Sequence, residues 1–153
     1  MKIKTAVFIG HRSCPDLDQR RVRHEIEKQI WDGTTRFLCG GMGQFDWICA
    51  RCVASLKRDY PAVQSSLVIP YPSFSVLEPS YFDHILYPRE LGQWDFKSVI
   101  PKRNQYLVDN ASLAICYVNH DRGGAAKTYQ YARQKSLKLI NLGSLPTYSF
   151  RMV

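Results

Sequence analysis

The sequence predicts an α/β fold in which helices cover both faces of a mainly parallel, doubly wound sheet. Short apolar segments alternate along the chain with longer segments whose apolar residues recur at helical spacing. The apolar segments are continuous, as strands are when both of their faces are buried. Glycine-rich or polar residues directly follow three of them, and ligands of such sheets bind at the carboxyl ends of the strands.

The first strand and helix precede residue 32. Residues 4–9 are largely β-branched or aromatic and end at Gly10, which predicts a strand. The following helix is predicted to end at Trp31, and either Asp16 or Asp18 is its expected N-cap.

The second strand and helix flank a glycine-rich turn. Residues 34–39 are predicted as the strand, 40–43 as the turn and 44–58 as the helix. Pro61 blocks the continuation of this helix, and residues 65–69 are predicted as a third strand.

Residues 71–98 show no clean periodicity and contain three prolines. A loop of this length is unusual in a compact domain, so we expect a short helix near 80–85 and a segment that covers one edge of the site. The remaining elements are predicted as a helix over 100–110, a strand over 113–118, a helix over 125–134 and a last strand over 137–142.

Length and composition are those of one globular domain, which we expect to span residues 1–153. The chain is 45% hydrophobic and 22% charged, which argues against disorder, and no apolar stretch approaches the roughly 20 residues of a membrane span. The N-terminus lacks the features of a secretory signal. We therefore expect a cytoplasmic protein without a membrane partner.

The five cysteines favour a reducing compartment, because an odd number with members inside apolar segments is atypical of a disulfide framework. Cys49 and Cys52 have the spacing of a redox or metal pair, but no second pair or histidine cluster completes a zinc site. We interpret them as buried helix residues. The sequence predicts neither a metal nor a cofactor.

The turn 40–43 contains Gly40, Gly41 and Gly43 between a predicted strand and a predicted helix. Glycines there let the backbone approach a ligand, and a helix N-terminus presents free N–H groups to an anion. The turn matches neither the Walker loop nor the dinucleotide-binding fingerprint, and a tight chain reversal alone explains it equally well.

A second turn repeats this arrangement after the strand predicted over 113–118. It contains Gly123 and Gly124, followed by Ala125 at the predicted start of a helix. Two such turns at one edge of a sheet predict a pocket for an anionic group, such as the phosphate of a nucleotide.

Polar residues gather at the same edge of the sheet. Gly10, His11 and Arg12 directly follow the first strand, and the guanidinium of Arg12 suits a phosphate or a carboxylate. His11 fits either a ligand contact or a structural role. Asn119 and His120 stand at the end of a buried strand, where exposed polar groups often belong to a site, although His120 fits loop surface equally well.

Residues on two predicted helices complete the candidate site. Asp46 is either a helix-start acid favoured by the helix dipole or a general acid/base that also suits a ribose hydroxyl. Arg103 is expected to reach a phosphate. Its neighbour Asn104 is a candidate ligand contact and equally an internal hydrogen-bond partner.

The net charge of +8 and the pI near 9.4 suggest a nucleic-acid partner. The basic residues are scattered, however, and the sequence contains no long basic block, RNA-binding aromatic motif or zinc finger. A small anionic ligand explains the positive field equally well. Nucleic acid is therefore a partner that the sequence does not favour, and assembly into a homo-oligomer stays open.

Taken together, these segments resemble the SLOG superfamily and, within it, the YpsA-like branch. The resemblance rests on the order and spacing of motifs from about residue 5 to residue 142. They are Ile9-Gly10-His11-Arg12, Gly40-Gly41-Met42-Gly43-Gln44-Phe45-Asp46, Tyr60-Pro61, Ile69-Pro70-Tyr71, Arg103-Asn104 with Leu107-Val108-Asp109-Asn110, and Tyr117-Val118-Asn119-His120 with Gly123-Gly124-Ala125.

The resemblance implies a Rossmann-like fold that binds nucleotides or nucleotide-derived ligands, with DprA and the LOG phosphoribohydrolases as distant relatives. By position, the two glycine turns would bind phosphate, and Arg103 would match the arginine of the helix before the second turn. The LOG motif Pro-Gly-Gly-x-Gly-Thr-x-x-Glu is not matched here, because no glutamate follows the second turn within 122–129. The hydrolase chemistry is therefore not transferred.

We therefore predict a protein that binds a nucleotide or a nucleotide-derived phosphate ligand, as a sensor or carrier. Two alternatives stay open. One is cleavage of the N-glycosidic bond of a nucleoside monophosphate with Asp46 as acid/base, and the other is binding of single-stranded nucleic acid.

Overall fold

The computed structural model describes residues 3–145 and residue 151, and it contains a six-stranded sheet with four α-helices. The strands are β1 (Lys4–Gly10), β2 (Thr34–Cys39), β3 (Gln64–Val68), β4 (His84–Leu86), β5 (Leu113–Tyr117) and β6 (Lys138–Asn141). The helices are α1 (Gln19–Trp31), α2 (Gln44–Leu56), α3 (Val99–Asp109) and α4 (Gly123–Gln134). Neighbouring strands of the sheet are parallel, so the predicted α/β class is confirmed.

The strand order is β4-β3-β2-β1-β5-β6, which places β1 between β2 and β5. The chain builds one half of the sheet outward from β1 to β4 and then crosses back to place β5 on the other side of β1. Ligands of open parallel sheets bind where the order reverses in this way. Gly10 pairs in register with Tyr117, so the residues that follow β1 and β5 emerge side by side.

Helices cover both faces of the sheet, as predicted. α1 and α2 pack against each other on one face, where Phe37, Phe45 and Val53 are fully buried. α3 and α4 pack together on the other face, around Val108 and Ala132. Because both faces are covered, the central strands are apolar without alternation.

The short helix predicted near residues 80–85 is present only as one 3-10 turn at the start of that range, and a strand occupies its end. The structure has a 3-10 turn at Pro79–Tyr81, the edge strand β4 and a second 3-10 turn at Arg89–Gln93. Asp83 fixes this path, because its N–H donates to the Ser65 carbonyl and its carboxylate accepts the Ser65 N–H, both at 2.8 Å. Because these contacts join residues distant in sequence, the local sequence pattern could not predict this path.

Helix α4 begins at Gly123, earlier than the start predicted at residue 125. Gly123 and Gly124 therefore lie in the first turn of the helix rather than in a loop before it. The N–H groups of a first helical turn have no partner within the helix. The second glycine turn is thus itself a helix N-terminus.

All five cysteines are buried, and none forms a disulfide within the described chain. Cys49 and Cys52 lie on α2, so their predicted burial on a helix is confirmed. Burial raises the pKa of both thiols. Across the described residues, no group of three or more His, Cys, Asp or Glu side chains is arranged to hold a metal, and no helix is long and apolar enough to cross a membrane.

Candidate functional site

A cavity of about 440 Å³ opens at the carboxyl edge of the sheet. Its wall is formed by the end of β1, the turn after β2, one side of α3 and the first turn of α4. The cavity brings together most of the predicted site residues, namely Gly10, His11, Arg12, Gly40, Asp46, Arg103, Asn104, Gly123, Gly124 and Ala125. None of the described residues 71–98 lines the cavity itself. Phe74 of that segment lies near Gly41 and Arg103, so the segment covers part of the wall from outside.

The other predicted site residues lie outside the lining and have packing roles. Gly41 (φ +67°) and Gly43 (φ +91°) adopt left-handed backbone conformations. A Cβ at these positions would lie 2.6 Å from Leu67 Cδ1 and 2.6 Å from Arg12 Cα, respectively. Asn119 Oδ1 accepts a backbone N–H of the segment after β6 at 2.7 Å. Ligand contact by these three residues stays a prediction.

His11 and His120 stack between the ends of β1 and β5, with ring centroids 4.0 Å apart and planes inclined by 11°. His11 Nε2 accepts the N–H of Asn119 at 2.9 Å, so the proton of the neutral ring is on Nδ1. Partial burial and the neighbouring His120 lower the pKa of His11. The His11 ring therefore enters the cavity wall as a neutral group with one donor nitrogen.

Two N–H groups at the first glycine turn already have partners within the protein. Met42 donates to Asp46 Oδ2 at 2.9 Å, and Gln44 donates to the Arg12 carbonyl at 2.9 Å. The carboxylate of Asp46 thus takes the position that an external anion would take at the N-terminus of α2. This turn is less suited to hold a phosphate than its sequence suggests.

Asp46 is a buried carboxyl group in the cavity wall. Burial raises its pKa to about 7, while the Met42 N–H and the nearby Arg103 guanidinium act in the opposite direction. Both roles considered from the sequence are therefore compatible with its position. Asp46 accepts an N–H at the start of α2, and its protonation changes near neutral pH, as that of a general acid/base must.

Arg103 is buried to 1% exposure and its guanidinium contacts the protein backbone. Nη1 donates to the carbonyls of Gly40 at 2.8 Å and Val68 at 2.7 Å, and Nε donates to Asn104 Oδ1 at 3.0 Å. Arg103 therefore ties the ends of β2 and β3 to α3. Among the described residues Nη2 has no acceptor, so a phosphate contact through that nitrogen stays a prediction.

The first turn of α4 presents unpaired N–H groups at the cavity. Within the described chain, the cap residue Arg122 supplies no side-chain hydrogen bond to them. A Cβ added at Gly123 or Gly124 would meet nothing within 4 Å, so the space in front of the turn is open. The exposed side chains of Arg12 and Arg122 line the same cavity. Helix dipole, free N–H groups and two guanidinium groups together favour an anion here.

Sequence reasoning missed several contributors. Arg122 and Thr128 line the cavity, and Thr128 Oγ1 donates to the Gly124 carbonyl at 2.9 Å. Arg122 directly precedes the glycine pair, and Thr128 lies one helical turn after it. These positions were the signal in the sequence that could have identified both residues.

Solved structures of DNA processing protein A (DprA) resemble this chain in fold. The Helicobacter pylori protein, which binds single-stranded DNA, is 13% identical over 90% of this chain, with a TM-score of 0.65. The Streptococcus pneumoniae protein is 14% identical over 91% of this chain, with a TM-score of 0.66. The fold is DprA-like and Rossmann-type. No protein-family model matches the sequence, and no curated protein matches it.

The likeness covers only part of the DprA chains. It extends over 64% of the Helicobacter protein and 50% of the Streptococcus protein. This chain therefore spans less than two thirds of the length of either protein. At such low identity the comparison establishes the fold and leaves the chemistry of the site to its own residues.

Proposed function

We propose that the cavity binds the phosphate of a nucleotide or nucleotide-derived ligand, and that the protein acts as a sensor or carrier of that ligand. The observation that supports this most strongly is the uncapped N-terminus of α4, which opens into a cavity also lined by Arg12 and Arg122. In this proposal the N–H groups of Gly123 and Gly124 hold the phosphate oxygens. The two exposed guanidinium groups add charge-assisted hydrogen bonds.

The rest of the cavity suits the remainder of a nucleotide. Its volume of about 440 Å³ lies in the range of small-molecule sites. Ile100 and Leu107 of α3 give the wall an apolar part, and His11 offers a donor nitrogen. A base or a sugar of unspecified identity fits these surroundings.

We also propose that the chain belongs to the YpsA-like branch of the SLOG superfamily. The order of the glycine, arginine and aspartate motifs supports this assignment, and the DprA-like fold is consistent with it. The family assignment is separate from the site proposal, which rests on the residues of the cavity.

Calorimetric titration tests the proposed function. The four common nucleoside 5′-monophosphates, ADP-ribose and a cyclic dinucleotide are compared with the matching nucleosides, which lack phosphate. We expect at least one phosphorylated ligand to bind and its nucleoside to bind at least tenfold more weakly. Arg12→Ala and Arg122→Ala should each weaken that binding by about tenfold or more, as expected for a lost charge-assisted hydrogen bond.

The matched control is Arg58→Ala, which removes a positive charge just after the far end of α2. It should leave the affinity unchanged. The proposal is contradicted if no phosphorylated ligand binds, or if Arg58→Ala weakens binding as much as Arg12→Ala does.

A second candidate is cleavage of the N-glycosidic bond of a nucleoside monophosphate. Asp46 supports it, because this buried carboxyl in the cavity wall has a pKa raised to about 7 by burial. Glycoside hydrolysis usually uses two carboxyl groups, and among the described lining residues Asp46 is the one carboxyl. Binding therefore remains the first proposal. Release of free base from nucleoside monophosphates, abolished in Asp46→Asn, would favour hydrolysis, and its absence would exclude it for those substrates.

A third candidate is binding of single-stranded nucleic acid. The fold similarity to a DprA protein that binds single-stranded DNA supports it, as does the net charge of +8. Affinity for an oligonucleotide should then fall steeply with salt, because phosphate contacts release counterions. Failure to retard any oligonucleotide at low salt would exclude this candidate.

A further inference from the structure

Hydrogen bonds from the backbone hold both rings of the stacked histidine pair in a neutral form. His11 Nε2 accepts the Asn119 N–H at 2.9 Å, and His120 Nδ1 accepts the Arg122 N–H at 3.3 Å. A ring nitrogen that accepts an N–H carries no proton, so the proton lies on Nδ1 of His11 and on Nε2 of His120. Both residues line the cavity, and each ring keeps one donor nitrogen.

The pair has room for a single additional proton. The ring centroids are 4.0 Å apart, and two imidazolium cations at that distance would repel each other. A proton on His11 Nε2 would break the 2.9 Å contact with Asn119, and partial burial and the neighbouring His120 lower the pKa of His11. A proton on His120 Nδ1 would break only the longer 3.3 Å contact, at an exposed ring. His120 is therefore the position at which the pair can take up a proton.

The charges around the pair oppose this protonation while the cavity holds no anion. Three cationic side chains line the cavity with the histidines, namely Arg12 after β1, Arg103 of α3 and Arg122 before α4. Asp46 of α2 is the one carboxyl among the described lining residues, Tyr117 of β5 lies edge-on to His11, and Asp121 is exposed next to His120. An anion at the start of α4 changes this balance, because a negative charge close to an imidazole favours its protonated form.

We propose that binding of a phosphate at the start of α4 is coupled to the uptake of one proton from solvent by the stacked pair, at Nδ1 of His120. This inference rests on the proposed function and concerns the regulation of the same site. The imidazolium adds a positive charge beside the phosphate, and the neutral His11 ring stacks on it. Because the complex then holds one proton more than its separate parts, affinity falls as the pH rises, by at most about tenfold per pH unit.

Sulfate tests the coupling directly, because it imitates a phosphate and keeps two negative charges across the neutral pH range. In protein labelled with ¹⁵N at histidine, long-range ¹H–¹⁵N correlation spectra report which nitrogens of each ring carry a proton. At slightly alkaline pH we expect His120 to carry its proton on Nε2 without sulfate and to be doubly protonated at saturating sulfate. His11 should keep its proton on Nδ1 throughout. His24 and His84 lie outside the cavity lining and serve as internal controls.

Affinity for sulfate gives a second measurement, followed through the amide signals of Gly123 and Gly124. One coupled proton should weaken binding by about three- to tenfold per unit of rising pH near neutrality in the wild type. His120→Gln cannot take up the proton, and its affinity should be nearly independent of pH. His24→Gln, at an exposed position of α1, is the matched control and should keep the wild-type dependence.

Asp46→Asn is the control for the other lining group that titrates near neutrality, since burial raises the pKa of Asp46 to about 7. The pH dependence of sulfate binding should persist in this variant. If Asp46→Asn abolishes it, Asp46 takes up the proton and the role given to His120 is wrong.

The coupling and the proposed function fail in distinguishable ways. If sulfate moves the signals of Gly123 and Gly124 while His120 stays singly protonated, the phosphate site is retained and the coupling is wrong. If neither sulfate nor any nucleoside 5′-monophosphate moves these two signals at any pH, the proposed function and the coupling are both wrong. The histidine spectra of the wild type decide between these outcomes even if His120→Gln does not fold.

Discussion

The guanidinium of Arg103 and the carbonyl of Gly40 are joined by a hydrogen bond of 2.8 Å. The bond holds α3 against the turn that follows β2, and the same nitrogen donates to Val68. A side chain at Gly40 would place its Cβ 3.1 Å from Arg103 Nη2, so the buried guanidinium would have to shift by a few tenths of an ångström to admit it. Arg103, which the sequence predicted at a ligand phosphate, therefore stabilises the cavity wall through hydrogen bonds to the backbone.

Arg103→Met should destabilise the protein strongly. It leaves two buried carbonyl oxygens without a donor and Asp46 without its nearby cation, and such losses cost about 3 kcal/mol or more. Urea unfolding followed by circular dichroism gives the free energy of unfolding. Arg122→Met, at an exposed position in the same cavity, should stay within about 0.5 kcal/mol of the wild type. Equal stabilities for the two variants would refute the structural role of Arg103.

Gly10→Ala should also destabilise the protein, because its Cβ would lie 2.2 Å from Phe45 Cδ2, and Phe45 is fully buried. Overpacking of this kind costs about 1–3 kcal/mol. In a Phe45→Leu background the cost of Gly10→Ala should shrink, since the smaller side chain leaves room for the methyl group. A double-mutant cycle of unfolding free energies measures this coupling, and additive free energies would show that the two residues do not collide.

Asp46 should make stability depend on pH. Burial raises its pKa from 3.8 to about 7, so the folded protein binds a proton that the unfolded chain releases. Its contribution to stability is therefore present below about pH 4 and is lost as the pH rises to about 7, with a slope of at most about 1.4 kcal/mol per pH unit. Asp46→Asn keeps an acceptor for the Met42 N–H and removes this titration.

The measurement is urea unfolding of Asp46→Asn and the wild type across that pH range. We expect the stability of the variant relative to the wild type to rise with pH. Parallel profiles would mean that Asp46 ionises in the folded state as easily as in the unfolded chain.

Much of the fold follows from local patterns. Continuous apolar segments identified the buried strands, and their ends lie within a residue or two of those predicted. β4 was not predicted because it has only three residues, of which His84 and Ile85 are exposed. It forms because it pairs with β3, and its own sequence carries no strand pattern.

The residues of the site were easier to predict than their roles. Topology brings the ends of β1, β2 and β5 to one edge, and Arg12, Asp46 and Arg103 of the predicted set line one cavity there. Their part in ligand binding stays a prediction. Whether a side chain faces a ligand or a backbone carbonyl depends on tertiary distances. For this reason no local pattern indicated that Arg103 donates to the Gly40 carbonyl, whereas the helix-start role considered for Asp46 agrees with its contact to the Met42 N–H.

Gly124→Ala separates ligand binding from stability. A Cβ at this position meets nothing within 4 Å, and alanine is favoured over glycine in helices, so stability should be unchanged or raised by up to about 1 kcal/mol. The added methyl group stands at the helix start where the phosphate is proposed to lie. Nucleotide affinity measured by calorimetry should therefore fall about tenfold or more, and unchanged affinity would argue against close approach to this turn.

The most direct test of the central claim is nuclear magnetic resonance of protein labelled with ¹⁵N at its nine glycines. The sample is titrated with an equimolar mixture of the four nucleoside 5′-monophosphates, and then in a parallel experiment with the four nucleosides. We predict that the amide signals of Gly123 and Gly124 shift with the monophosphates only, while those of Gly33 and Gly92 stay in place. Signals of Gly123 and Gly124 that do not move, or that move equally with the nucleosides, would contradict phosphate binding at the start of α4.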